Sequence, residues 1–256
     1  MYEKLARFRF YEELNDFLPL RDRKKTLPYD FNGSPAIKDA VEALGVPHTE
    51  VDLILVNGES VGFDYHLRHG DRVAVYPMFE SVDVAPITRL RQRPLRRSKF
   101  VVDVHLGKLA RLLRMLGFDT IYARNLTDAG VIEAAREGER IILTRDRSIL
   151  KIRTVTHGYW LRSTHPDTQV REVLNRFDLR GQIKPFCRCM VCNGLIVAVD
   201  RQTAAGRVPD IAARCFDEFS ECGECGKIYW KGSHYQKMAT LVDVLRGGSW
   251  APKKEE

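Results

Sequence analysis

Hydrophobic and polar residues alternate near the start of the chain, where LARFRF carries its larger apolar side chains at every second position, the period of a half-buried β-strand. KKTLPYDF supplies a partner strand. The period then changes. In SPAIKDAVEALG, Ile37, Ala40, Val41 and Leu44 fall on one face of a helix, with Ser34 placed as N-cap, Pro35 at the first helical position and Gly45 at the stop. VDLILVNGESV folds back at Asn57-Gly58, a pair that tolerates the positive φ angles of a tight hairpin, and GDRVAVYPMF adds another strand. From Phe100 the pattern becomes serial. FVVDV reads as an apolar strand, and Leu106, Leu109, Leu112, Leu113 and Leu116 line one side of a helix that Gly117 ends. DTIYAR, TDAGVIEAAREG and RIILTRD extend the series to β-α-β-α-β. Such alternation predicts a mostly parallel sheet covered by helices, because parallel neighbours need crossover connections. TVTHGYWLRS adds a strand, PDTQVREVLNRFDL an amphipathic helix, and HYQKMATLVDVLRGG a final helix before a frayed KKEE tail.

Composition narrows this picture. At 256 residues the chain exceeds a usual single domain, so two compact units, or one with appendages, are expected. With 44% hydrophobic and 29% charged residues it has an ordinary globular composition. No apolar run approaches the roughly 20 residues of a membrane helix, and MYEKLARFRF lacks the continuous apolar core of a signal peptide. A cytoplasmic protein without a membrane partner is therefore expected. The net charge of +7 is unevenly spread. Residues 1–88 hold 10 Lys/Arg against 15 Asp/Glu, residues 89–99 hold 6 against none, and the remainder 25 against 19. The stretch RLRQRPLRRSK reads as a self-repelling linker able to lie along a phosphate backbone.

Asp103 and Asp146 stand at the ends of predicted strands, and Asp128 opens a predicted helix. Ligands of open α/β sheets gather at the carboxyl ends of the strands, so all three can reach one rim. Converging carboxylates repel one another unless a cation neutralises them, and an all-oxygen set suits Mg²⁺ or Mn²⁺. The chemistry implied is metal-assisted phosphodiester hydrolysis. Lys108, Arg111, Arg114 and Arg145 are placed to meet substrate phosphates. Asp128 also has a simpler reading, as a carboxylate at a helix N-terminus, and Asp119 is a weaker candidate than the other three. His105 reads as a partly buried structural histidine.

Four of the six cysteines form two Cys-x-x-Cys pairs, Cys189/Cys192 and Cys222/Cys225, with residues 193–221 between them. In a cytoplasmic chain such pairs fit metal ligation better than disulfides. Four thiolates leave no open position, so the expected zinc is structural. Cys187 and Cys215 read as ordinary thiols. Lys227, Tyr229, Trp230 and Lys231 combine cations with aromatics, either to stack on unpaired bases or, for the rings, to pack a small core.

Two resemblances follow from these residues. The order strand, strand, helix, strands, with VNGESV and GDRVAVYP, resembles the ubiquitin-like β-grasp fold of sulfur carriers. No Gly-Gly terminus follows its last strand, so a recognition or regulatory module with a possible protein partner is expected, not a sulfur carrier. KFVVDVHLGKLARLLRMLGFDT, DAGVIEAAREGERIILTRD, CRCMVC and ECGECGKIYWKGSHY resemble the Mut-seven C-terminal RNase domain family. That resemblance implies a PIN-like fold with a C-terminal zinc ribbon, a metal-dependent ribonuclease activity on RNA, and catalytic acids at Asp103, Asp128 and Asp146. No position matches the fourth acid of many such sites. The chain is therefore expected to comprise an α+β ubiquitin-like β-grasp domain over residues 1–85, a basic linker over 86–98, an α/β PIN-like domain with a mostly parallel sheet over 99–182, and a zinc ribbon with a C-terminal helix over 183–246. The alternative is a non-catalytic RNA-binding or adaptor protein that recruits a partner through its first domain.

Overall fold

The computed structural model describes residues 4–77, 90 and 99–247. The basic linker, except Leu90, and the KKEE tail lie outside the described residues. In chain order the elements are β1 (Lys4–Phe10), β2 (Thr26–Phe31), α1 (Ile37–Ala43), β3 (Val51–Val56), β4 (Glu59–Ser60), β5 (Arg72–Pro77), β6 (Phe100–Val102), α2 (Gly107–Met115), β7 (Thr120–Ile121), α3 (Asp128–Gly138), β8 (Ile141–Thr144), β9 (Gly158–Trp160), α4 (Pro166–Arg176), β10 (Ile196–Val199), α5 (Arg201–Ala204), α6 (Asp210–Cys215), β11 (Phe219–Cys222), β12 (Ile228–Trp230) and α7 (Ser233–Gly247), with short 3-10 turns between several of them. Two compact units divide the chain, one drawn from residues 1–97 and 128–161, the other from 98–127 and 162–256.

In the first unit, five strands form a sheet in the order β2-β1-β5-β3-β4, with β1 and β5 parallel and the other pairs antiparallel. This is the β-grasp arrangement that the resemblance to ubiquitin-like sulfur carriers implies. Phe8, Phe10, Ile37, Val41, Ile54, Leu67 and Val75 bury one face of the sheet beneath α1. Asn57 and Gly58 take φ angles of 53° and 96°, as the hairpin turn requires. The start of α1 differs from expectation. Ala36, not Ser34, is its N-cap, because Ala36 forms a β-bridge with His66 and the Ser34 hydroxyl donates to the Leu67 carbonyl at 3.3 Å. A 3-10 turn at Glu12–Phe17, unmarked in the sequence pattern, inserts Leu14 and Phe17 into the same core. Asn15 fixes it by donating to the carbonyls of Phe10 and Glu12 and accepting from the Lys24 amide.

The same unit contains α3 and the parallel pair β8 and β9, in which Ile142, Leu143 and Thr144 face Gly158, Tyr159 and Trp160. The turn His48–Glu50 of the β-grasp module binds this pair and its connection. His48 Nε2 lies 2.7 Å from the Val155 carbonyl and Nδ1 lies 2.5 Å from Glu42 Oε1. Burial, reinforced by nearby Lys38, lowers the His48 pKa despite both acceptors. Thr49 donates to the Leu150 carbonyl, and the fully buried Glu50 accepts the Trp160 amide at 2.5 Å. The Arg147 guanidinium sits 3.9 Å from the Trp160 ring centroid and 5.1 Å from that of Phe17, and it donates to the Asp16 carbonyl.

In the second unit, β6 and β7 pair in parallel, Phe100 with Thr120 and Val101 with Ile121. Helices α2 and α4 pack together, and Leu106, Leu109, Leu113 and Leu116 are buried as the helical period predicts, while Leu112 is only partly so. The antiparallel ribbon β10-β11-β12 follows. Between its cysteine pairs run α5 and α6, which the hydrophobic pattern does not announce, although Asp200 caps α5 by accepting the Thr203 amide. Gly117 joins the two parts of this unit. It has a φ of +96°, and a Cβ there would stand 2.1 Å from the Lys184 carbonyl oxygen, where the chain enters the ribbon. The Leu116 carbonyl and the Lys184 amide are bonded at 3.0 Å, so that approach is fixed. Gly117→Ala should combine a left-handed backbone penalty with a backbone clash, lowering stability by about 2 kcal/mol or more in a urea titration; an unchanged midpoint would contradict this packing.

Candidate active site and metal centre

Cys189 and Cys192 lie in the turns before β10, Cys222 ends β11, and Cys225 lies in the turn to β12. Their Sγ atoms all lie within 4.8 Å of one another, with 3.6 Å between Cys189 and Cys225 and 3.3 Å between Cys192 and Cys222. Four sulfurs placed about 2.3 Å from a central zinc would be separated by about 3.8 Å. The donor set and its spacing therefore suit a structural zinc, as the two-pair spacing predicts. Within either unit, no second group of three or more potential ligands is this closely spaced among the described residues. Cys187 stands apart, its thiol donating to the Lys184 carbonyl, and Cys215 is exposed.

The surroundings of the tetrad favour thiolate at Cys189 and the protonated thiol at Cys192 and Cys225. Burial opposes ionisation of Cys189, but hydrogen bonds from the Tyr229 hydroxyl and the backbone amides of Cys192 and Val191 bring its pKa down to about 6. Desolvation and the neighbouring thiols push Cys192 up to about 12. Burial and the Cys189 sulfur raise Tyr229, which keeps its hydroxyl proton available as a donor. Tyr229 thus belongs to the metal centre, a role that the choice between core packing and base stacking does not include.

Arg114 also belongs here and leaves the set of expected RNA contacts. It is only 3% exposed; its Nε donates to the Thr120 carbonyl at 2.9 Å and its Nη1 to the Val191 carbonyl at 2.7 Å. Burial lowers its pKa against the opposing attraction of Cys192, Cys189 and Asp119. Its physical role is to offset the negative charge of the thiolates and bind the knuckle to α2. Asn193, held at a φ of 77°, completes the junction by accepting the Thr120 amide and donating to Asp119 Oδ1, both at 2.9 Å. Asp119 pairs further with Arg188 at 3.6 Å. It is a structural acid of the junction.

The three candidate acids stand in two units, Asp103 in the second and Asp128 and Asp146 in the first. Asp103 directly follows β6, is partly buried, and accepts the His105 amide through Oδ1 at 3.2 Å. Asp146 follows β8 by two residues, is exposed, and accepts the Ser148 amide through Oδ1 at 2.7 Å, while its own amide donates to Thr144 Oγ1. Asp128 is the exposed first residue of α3. Asp103 and Asp146 therefore each stand just beyond the carboxyl end of a parallel strand. The His105 side chain is exposed, whereas a partly buried structural histidine is expected from the sequence.

Among the expected RNA contacts, Lys108, Arg111, Arg145 and Lys227 are exposed. Arg145 accepts the Trp160 indole N–H through its carbonyl at 3.2 Å, so the residue before Asp146 is held by the end of β9. Trp230 is half-buried against the ribbon core of Ala204, Phe219 and Ile228, which favours packing for that ring. Lys231 pairs with Glu218.

A ubiquitin-like sheet followed by parallel α/β strands and a four-cysteine ribbon defines a class of composite chains. The chain belongs to the Mut7-C RNAse domain family, which it matches over residues 98–242, and residues 3–83 match the Mut7-C ubiquitin family. Two crystal structures of the small archaeal modifier protein 1 of Haloferax volcanii are similar to it at 19% and 18% identity, each covering 30% of this chain and 99% of that chain with a TM-score of 0.25. No curated protein matches the chain significantly. Among the described residues no helix is long and apolar enough to cross a membrane.

Proposed function

We propose that the chain is a PIN-type, metal-dependent ribonuclease of the cytoplasm that hydrolyses phosphodiester bonds of RNA, with Asp103, Asp128 and Asp146 as the catalytic carboxylates. The observation that carries this reading is the position of Asp103 and Asp146 beyond the ends of β6 and β8, in a chain of the Mut7-C RNAse domain family. An all-oxygen donor set of this kind fits Mg²⁺ or Mn²⁺, which when bound would acidify a water and stabilise charge on the phosphoryl oxygens. The chain's own residues have separable tasks. Asp103 and Asp146 are oriented by the backbone amides that each accepts, Asp128 adds charge from the first turn of α3, and Lys108, Arg111 and Arg145 hold the substrate's phosphates. Bound at the tetrad, zinc would fix the ribbon, and Lys227 and Lys231 would extend the RNA path along it, while Trp230 packs the ribbon core beneath them.

A second reading has an observation of its own. Asp103 and Asp146 each bind an amide two residues ahead, as purely structural carboxylates do, which suits an RNA-binding adaptor whose ubiquitin-like module recruits a protein. One assay separates the two. Single-stranded and structured RNA and DNA are incubated with the protein in Mg²⁺, in Mn²⁺ and without either; metal-dependent cleavage of RNA is expected, and binding without turnover on every substrate would favour the adaptor.

A further inference from the structure

The β-grasp module is acidic as a whole, yet the outer face of its sheet is not. Arg7 and Arg9 are the exposed residues of β1, and Arg72 is the exposed start of β5. Because β1 and β5 pair in parallel with Arg7 opposite Arg72, two guanidinium side chains rise from adjacent strands, and Arg9 stands one pleat further along the same face. Like charges so placed repel unless an anion lies between them. No ion pair joins any of the three to a carboxylate among the described residues. The acid next in sequence, Asp71, is committed elsewhere: it accepts from the Asn57 amide group, the Tyr65 hydroxyl and the Arg68 backbone amide. Asp30, the exposed acid of β2, is in register with Leu5, one pleat away from Arg7.

Aromatic rings continue the same face. Tyr11 and Tyr76 stack with centroids 4.3 Å apart and planes 12° apart, and the Arg9 guanidinium lies 5.5 Å from the Tyr11 centroid. Arg7, Arg9, Arg72, Tyr11 and Asn57 border an open hollow of about 540 Å³.

We infer that this sheet face is a second RNA-binding site, which takes a single-stranded segment with its phosphates on Arg7, Arg9 and Arg72 and an unpaired base against the arginine and tyrosine stack. The inference rests on the reading that the chain acts on RNA. Guanidinium groups match phosphate geometry, and flat stacks of cations and rings accept any base. An acidic peptide would neutralise the arginines but leave the stack without a planar partner. The ubiquitin-like module would then hold RNA that the carboxylates cut.

The test uses the full chain and a fluorescein-labelled single-stranded RNA of roughly 15 nucleotides, with fluorescence anisotropy read over a series of salt concentrations and cleavage measured separately. The triple variant Arg7→Gln, Arg9→Gln, Arg72→Gln is expected to bind at least about tenfold more weakly at moderate salt and to lose about 2 from the slope of log affinity against log salt, the value for three phosphate contacts on a single strand. The matching triple Lys variant should keep the slope. All three side chains are exposed, so thermal unfolding should stay at the wild-type midpoint in both variants. An unchanged slope and affinity in the Gln variant would overturn the site, and so would equal competition by polyglutamate, which would mark the face as a protein dock. If the ribonuclease reading alone fails, no variant turns RNA over but the affinity difference between Gln and Lys variants persists.

Discussion

Stripping zinc from the folded protein is expected to unfold the ribbon formed by β10, β11 and β12 while the β-grasp sheet keeps its structure. The ribbon's buried hydrophobic cluster amounts to Ala204, Phe219 and Ile228, with Val199, Val208, Phe216 and Trp230 packed partly against it. So small a core supplies little burial energy, whereas binding free energies of structural zinc in comparable small modules run to about 10–16 kcal/mol. The four sulfurs already lie within 4.8 Å of one another, so without metal their negative charges must be relieved by protonation. Desolvation and the neighbouring thiols push Cys192 up, so its protonation supplies part of that relief. Elemental analysis should find a single zinc per chain, and chelation, or Cys222→Ser, should abolish the cooperative unfolding of the ribbon. Amide exchange resolved along the sequence reads the result. Full protection of β10 to β12 after complete metal removal would show that the cysteines are incidental.

Asp103→Asn is expected to reduce metal-dependent RNA cleavage by about three orders of magnitude, equivalent to about 4 kcal/mol of transition-state stabilisation. Asparagine keeps the oxygen that accepts the His105 amide, so the turn after β6 should survive. What it removes is the charge that would hold a hard cation. Single-turnover cleavage with Mg²⁺ or Mn²⁺ measures the loss, and the thermal midpoint should stay near that of the wild type. Asp146→Asn, which likewise keeps an acceptor for the Ser148 amide, should behave the same way. Wild-type rates in both variants would remove these carboxylates from the chemistry and leave the adaptor reading in place.

Local signals in the sequence map onto the fold closely. Alternation at Leu5 to Phe10, the Asn57-Gly58 turn and the leucine spacing of α2 each depend on neighbours a few residues away, and each forms as its pattern dictates. The cysteine pairs are equally legible, because knuckle geometry is set by the spacing within each pair. Arg114 shows what is not. In sequence it continues the cationic series of Lys108 and Arg111, yet its guanidinium serves a carbonyl 77 positions away. The same holds for the arginine face of the first sheet. Exposure of Arg7 and Arg9 is written in the alternation of β1, but their proximity to Arg72 exists only once β1 and β5 have paired. Nor does any pattern mark His48–Glu50 as a contact for residues about a hundred positions later.

That last contact bears on how the polypeptide can be divided. Trp160 lies against the β-grasp core, its amide capped by Glu50 and its ring covered by Arg147, and its indole holds the carbonyl of the residue before Asp146. A fragment cut at the family boundary near residue 98 would carry the Trp160 ring without the core it packs on, and the Leu150 and Val155 carbonyls without their bonds from Thr49 and His48. The amino-terminal module thus covers part of the segment that matches the RNAse-domain family, and a polypeptide that omits it is expected to aggregate more readily than the whole chain.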